Sequence, residues 1–133
     1  MKKFTLAMLI FCFSGCSLMI DSYISKYSKV ADSVSLGNSK ESVLSKLNPT
    51  QKGLPAKYKK SKEAYYEGDD LIEIHYFRTG RQPDGLKTDD EFTPYIFKNN
   101  KLVGIGWTVI GGPKSRGEVI QPAPNINQTT IVK

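Results

Sequence analysis

Both cysteines of this 133-residue chain, Cys12 and Cys16, fall within its first sixteen positions. Lys2 and Lys3 give a positive start, and Phe4 to Phe13 (FTLAMLIFCF) follow with Thr5 as the only polar side chain. A ten-residue run of this kind is too short to cross a bilayer as a helix, which takes roughly 20 residues. A charged start and a short apolar run form the pattern of a secretory signal peptide. Cleavage after residue 15 leaves 118 of the 133 residues, with Cys16 at the new start and no cysteine in the domain that follows. A structural disulfide and a thiolate metal site are then excluded, so an ordinary hydrophobic core must hold the fold. One domain of that length can bury about two thirds of its unfolded surface. The chain has 39% apolar residues, 11 glycines besides, and 11% aromatics. These values exclude collagen, coiled-coil and wholly disordered classes.

Phe13-Ser14-Gly15-Cys16 places small side chains immediately before a cysteine. This resembles the lipobox of bacterial lipoproteins, with Phe13 where Leu is most frequent. The resemblance implies that Cys16 carries a diacylglycerol, becomes residue one after cleavage and is then N-acylated; no other cofactor is expected. Ordinary signal cleavage beside an incidental cysteine is the alternative. A buried methylene contributes about 0.8 kcal/mol and one acyl chain holds only marginally, so three chains on one residue make a lasting membrane anchor. Ser17, rather than Asp, follows the cysteine. By similarity to the enterobacterial sorting rule, this implies the outer membrane of a bacterial envelope, facing the periplasm. On this reading residues 1–15 are leader and 16–33 are the anchor with either a tether or a first helix. Residues 34–110 are the folded domain, and 111–133 a disordered polar tail.

Without Lys2 and Lys3 the charge falls from +6 to 17 basic against 13 acidic side chains, or +4. Five lysines crowd Lys52 to Lys62 (KGLPAKYKKSK). Such a run suits anionic lipid or lipopolysaccharide phosphates, with a solvated loop as the alternative. Nucleic acid is not an expected partner outside the cytoplasm, and Tyr58 alone interrupts the lysines as a stacking aromatic.

Ile20, Tyr23, Ile24, Tyr27 and Val30 or Ala31 recur at helical spacing, against a serine content that lowers helix propensity. A second helix is predicted after Asn38 or Ser39 as cap, with Glu41 placed for a capping box from Asn38. Val43, Leu44 and Leu47 form its apolar stripe, and Asn48-Pro49 stops it. Thr50 to Lys62 reads as loop. Beyond it the pattern turns to β: Ala64 to Tyr66, a turn at Glu67 to Asp70, and then Leu71 to Thr79, where Ile72, Ile74 and Tyr76 alternate with Glu73, His75 and Phe77. A long polar loop, Gly80 to Glu91, precedes a hairpin of Thr93–Lys98 and Lys101–Val109 about Asn99-Asn100, a pair that tolerates positive φ. Two helices before an antiparallel meander make an α+β fold, with helices packed on one face of a three- to four-stranded sheet.

The leader, the cysteine, the G-x-S-x-E-x-V-x-x-x-L helix (Gly37 through Leu47) and the strands ending in YIFKNNKLVGIGW are similar to the SmpA/OmlA (BamE-like) small lipoproteins. The resemblance spans roughly Val34 to Val109 and implies an ααβββ fold. It also implies the role of an accessory subunit in outer-membrane β-barrel assembly. The family's Leu-Gly-x-Pro helix exit stands here as Leu47-Asn48-Pro49, and the lysine run and the Arg78 to Glu91 segment are additional to the family pattern.

Few residues suggest chemistry. His75 is the single histidine, so a zinc site built from histidines and cysteines is unavailable. No G-x-S-x-G elbow accompanies it, and it reads as a sheet-surface or half-buried structural residue. Asp89, Asp90 and Glu91 are adjacent rather than alternating as in a calcium loop. Gly111-Gly112-Pro113-Lys114-Ser115 lacks the phosphate-loop frame. Arg78 and Arg81 supply guanidinium forks suited to carboxylate or phosphate. Either they bridge Asp89 and Asp90 internally, or these residues meet a partner. Trp107, in step with Ile105 and Val109, is expected under the helices or else as an exposed interface anchor, with Gly104 and Gly106 leaving the opposite strand surface bare. The expected function is that of a non-enzymatic envelope lipoprotein, a small adaptor docking on an envelope protein complex. The alternative is a ligand-binding or enzyme-inhibitor module that recognises an anionic headgroup, a glycan or a secreted hydrolase.

Overall fold

The apolar stripe of Ile20, Tyr23, Ile24, Tyr27 and Val30 is the inner side of a long first helix. In the computed structural model this helix, α1, spans Gly15–Ala31. The structure describes residues 15–82 and 87–113, with side chains from Met19 onward. The leader through Ser14, the Cys16 side chain, residues 83–86 of the long polar loop and the tail from Lys114 lie outside the described residues. Of the two expectations for residues 16–33, tether or helix, the helix forms.

Ser39 caps α2, Lys40–Leu47, its hydroxyl accepting from the Ser42 N–H at 3.1 Å. The expected Asn38–Glu41 box does not form. Asn38 turns back to accept from the Ser35 N–H at 2.9 Å, and with the cap at Ser39, Glu41 falls one position short of the box. Val43 and Leu47 are fully buried. Asn48-Pro49 tightens the chain into a 3-10 turn, Asn48–Gln51, rather than stopping it outright. Proline tolerates the start of such a turn because its missing N–H would have had no partner there. A second 3-10 turn, Ala56–Tyr58, lies within the segment read as loop.

Four strands follow in sequence order: β1 Glu63–Glu67, β2 Asp70–Arg78, β3 Phe92–Lys98 and β4 Lys101–Ile105. Each pairs antiparallel with the next. The fold is therefore α+β, two helices before a four-stranded open meander. Asn99 (φ 47) and Asn100 (φ 65) turn the β3–β4 hairpin as the sequence predicts. The Asn99 side chain receives the Leu71 N–H at 2.9 Å and donates to Asp70 at 2.6 Å, tying that hairpin to the start of β2.

The alternation along β2 sends residues to two apolar layers. Phe77 joins Tyr95, Phe97, Leu102, Val43 and Leu47 beneath the helices. Burying each such side chain contributes about 1.5–3 kcal/mol. The Tyr27 and Tyr95 hydroxyls bond at 2.7 Å, so α1 is also pinned by a polar contact. Burial and that contact push the Tyr95 phenol well above its ordinary value. Ile72, Ile74 and Ile96 occupy the other face, with Tyr76 and Ile110 packed against them.

That second face corrects the expectation for Trp107. β4 ends at Ile105, Gly106 (φ 96) redirects the chain, and Trp107–Ile110 form a 3-10 turn that folds over the face away from the helices. Trp107 stacks on Tyr76 there, with centroids 5.5 Å apart, and donates its indole N–H to the Phe92 carbonyl at 2.8 Å. Of the two glycines expected to leave a bare strand surface, Gly104 is covered and Gly106 is open. A Cβ on Gly104 would lie 2.6 Å from a Val109 methyl. Gly104→Ala is therefore expected to destabilise the fold by about 1–3 kcal/mol in chemical denaturation, and adding Val109→Ala should recover most of that loss.

Candidate functional site

β1 is shorter than the strand it pairs with. Its first residue, Glu63, stands opposite Ile74, whereas β2 runs on to Arg78. The last stretch of β2 consequently has no strand beside it on the β1 side. At the far end of this open edge, the Gln51 side chain acts as a substitute peptide. It accepts from the Arg78 N–H at 3.0 Å and donates to the Arg78 carbonyl at 3.4 Å. Gln51 is presented by the 3-10 turn Asn48–Gln51, so the turn that follows α2 also closes the sheet edge.

Arg78 is 3% exposed. Its Nε donates to the Tyr58 carbonyl at 2.8 Å and its Nη1 to the Gly80 carbonyl at 3.2 Å, with the Glu91 carboxylate 3.6 Å away. The Phe92 ring lies beneath the guanidinium, 4.8 Å from centroid to Cζ. This is an internal pair, but with Glu91 rather than the expected Asp89 or Asp90. Glu91 in turn receives the Thr88 N–H at 3.1 Å and the Gln82 N–H at 2.9 Å, which fold the β2–β3 connection back on itself.

The other residues singled out from the sequence are placed separately. Arg81 reaches across to Asp21 on α1 at 3.1 Å. Asp89 is buried and pairs with Lys60 at 3.1 Å. Asp90 accepts from Gln82 at 3.1 Å and from the Thr88 hydroxyl. Trp107 is on the face away from the helices, where it and Asp89 line a second cavity, of about 660 Å³, with Lys60 and Tyr76. The structure does not bring these residues into one binding centre.

What converges instead is an open groove of about 980 Å³ along the β2 edge, between α2 and the lysine-rich segment. Leu44, His75 and Phe77 contribute to its floor, and Lys52, Lys59, Lys60 and Lys62 to its rim. Next to His75 along β2, Glu73 accepts from Lys40 at 2.6 Å and stands 3.9 Å from Lys62. The Lys40 hydrogen bond holds its carboxyl below the usual range. His75 meets Phe97 edge-on, and its Nε2, buried and without a hydrogen-bond partner, is 3.7 Å from Glu73. That separation is too long for a hydrogen bond. Burial pushes the His75 pKa down, and the Glu73 charge opposes the shift only in part. His75 is therefore neutral at pH 7, as a group shifted down from about 6.5 must be.

Sequence reasoning missed Gln51 and Glu73, and it considered Glu91 within the acidic run without pairing it to Arg78. A glutamate in step with Phe77 on a strand is the one available signal, because a carboxylate on an apolar face needs a cation nearby. Nothing local announces that Gln51 meets β2. Among the described residues, no three His, Cys, Asp or Glu side chains could hold a metal ion, and no helix is long and apolar enough to cross a membrane.

Residues 24–110 match the family model described as "Protein of unknown function (DUF3192)", and the chain belongs to that family. No curated protein and no solved structure matches it.

Two outcomes test this geometry. Arg78→Ala leaves Glu91 buried without its cation and is expected to cost about 3–5 kcal/mol of unfolding free energy, whereas Arg81→Ala, at an exposed pair, should cost under about 1 kcal/mol. At about pH 8, well above the ordinary histidine value of about 6.5, His75 is neutral in both folded and unfolded chains. Below that, the unfolded chain takes up a proton that the folded chain resists, so stability falls as pH falls. Thermal melts between about pH 8 and 5 should show a shallower decline for His75→Gln than for the wild type.

Proposed function

We propose that this DUF3192 protein is a non-enzymatic envelope lipoprotein, a small adaptor acylated at Cys16 and docking on an envelope protein complex. Support for the anchor comes from the order of charge, short apolar run, small residues and cysteine at the start of the chain. With Cys16 within α1, Gly15–Ala31, an acyl group there would be joined to the domain through that helix. The domain would then sit next to the outer membrane on a helix about 25 Å long, at 1.5 Å per residue. Docking on the outer-membrane assembly machinery is the particular case suggested by the resemblance to the SmpA/OmlA lipoproteins.

The observation that carries the adaptor reading is the groove beside β2. It pairs an apolar floor with a cationic rim on a rigid sheet, and no described segment of the chain pairs with the strand edge that it exposes. Concave sites with a few well-placed polar groups are where small domains bind.

The test uses the full chain in its native membranes. Metabolic labelling with a fatty acid should mark the protein, and Cys16→Ser should abolish both the label and membrane retention. A photo-crosslinking amino acid replacing Lys59 should join the protein to a discrete envelope protein, while the same probe replacing Val103, on the opposite face, should not. An unlabelled wild type overturns the anchor, and the absence of any protein adduct at Lys59 overturns the adaptor.

A further inference from the structure

We propose that the groove receives an extended peptide segment of alternating acidic and apolar residues, added alongside the open stretch of β2. The inference rests on the adaptor reading and names the chemistry of its partner.

The backbone supplies the first argument. In an antiparallel ladder, alternate residues direct their N–H and C=O to the same side. Tyr76 stands opposite Pro94, whose carbonyl accepts from the Gly106 N–H on the far side of β3. The Tyr76 peptide groups therefore face away from β3, as those of Arg78 do toward Gln51. Ile74 has Glu63 opposite it and Arg78 has Gln51, but the chain between Tyr58 and Glu63 passes Tyr76 without pairing. One peptide unit of strand edge is left between a strand end and a side-chain clasp. A peptide backbone can complete that pair, and strand addition at an open edge is an established mode of recognition. An acyl chain has nothing to offer these groups, which favours a peptide over a lipid.

Charge supplies the second. Lys52 and Lys59 are exposed and enter no ion pair among the described residues, and Lys62 is 63% exposed at the long distance of 3.9 Å from Glu73. Lys60 is committed to Asp89. Three cations of the rim are thus available to carboxylates. The floor asks for the opposite: Leu44 and Phe77 are apolar, and the one buried side-chain polar atom without a hydrogen-bond partner among the described residues is His75 Nε2. Side chains of an extended segment point alternately to two sides. A strand in this groove would turn one set toward the floor and the other toward the lysines, so the fitting sequence alternates apolar with acidic residues.

The test titrates the full acylated chain, in neutral detergent micelles, with a short synthetic peptide alternating glutamate and leucine. Amide NMR shifts at Tyr76 and Phe77 and slowed hydrogen exchange at Tyr76 are expected. The Lys52→Glu/Lys59→Glu variant should bind at least tenfold more weakly while melting at the wild-type temperature. A peptide alternating lysine and leucine should not bind. Equal binding of the lysine peptide, or shifts confined to the face carrying Val103 and Val109, overturns the proposal. So does a response to phosphatidylglycerol in the micelle with none to the acidic peptide, which would assign the groove to lipid headgroups. A Lys59 crosslink to an envelope protein together with no peptide binding sinks this inference and leaves the adaptor reading standing. Peptide binding without any such crosslink does the reverse.

Discussion

A guanidinium keeps its charge throughout the range in which proteins fold, and stripping it of water costs several kcal/mol unless oxygens replace the water. Arg78 is buried at the end of β2, so its surroundings are obliged to provide them. They come from three separate pieces of chain: the Tyr58 carbonyl from the lysine-rich segment, the Gly80 carbonyl from the return after β2, and Glu91 at the entry to β3. The Phe92 and Tyr58 rings cover its faces. One cation therefore sets where the lysine-rich segment runs relative to the sheet edge. The groove has an outer wall because Tyr58 is held to Arg78 on one side and Glu63 is paired with Ile74 on the other.

Elements governed by local periodicity or local backbone chemistry were legible. The helical stripe from Ile20 to Val30, the α2 stripe of Val43, Leu44 and Leu47, and the Asn99-Asn100 turn all depend on neighbours within a few residues. The fates of Trp107 and Arg78 do not. Trp107 continues the alternation of β4 perfectly well on paper; Gly106 breaks it by adopting a positive φ, and the reward is a tyrosine contributed by β2. Arg78 looks like a binding residue because arginines on strands usually reach solvent. Its burial depends on three carbonyl and carboxylate groups whose convergence only the tertiary fold creates. The groove was illegible for the same reason, since its key property is a difference in length between two paired strands.

The lipid-anchor proposal and the fold have a mechanical connection. α1 is not a free leash: Tyr27 holds it to Tyr95 in β3, and Asp21 holds it to Arg81 beyond β2. An anchor at Cys16 would therefore restrain the orientation of the sheet as well as its distance from the bilayer. An adaptor gains from such restraint, because a pre-oriented surface loses less rotational freedom when it docks.

The closing 3-10 turn, Trp107–Ile110, has a consequence for how the molecule matures. The meander pairs each strand with its successor, a topology of sequence-local pairings that assembles quickly. The face bearing Ile72, Ile74 and Ile96 is nevertheless incomplete until that last turn arrives, and chains emerge from synthesis or export with the amino end ahead. For an interval, a nearly finished sheet shows its greasy reverse to the surroundings. Any escort that shields newly delivered chains would have its contact there, and the arrival of the closing turn, with Ile110 on the isoleucines and Trp107 on Tyr76, would end that custody.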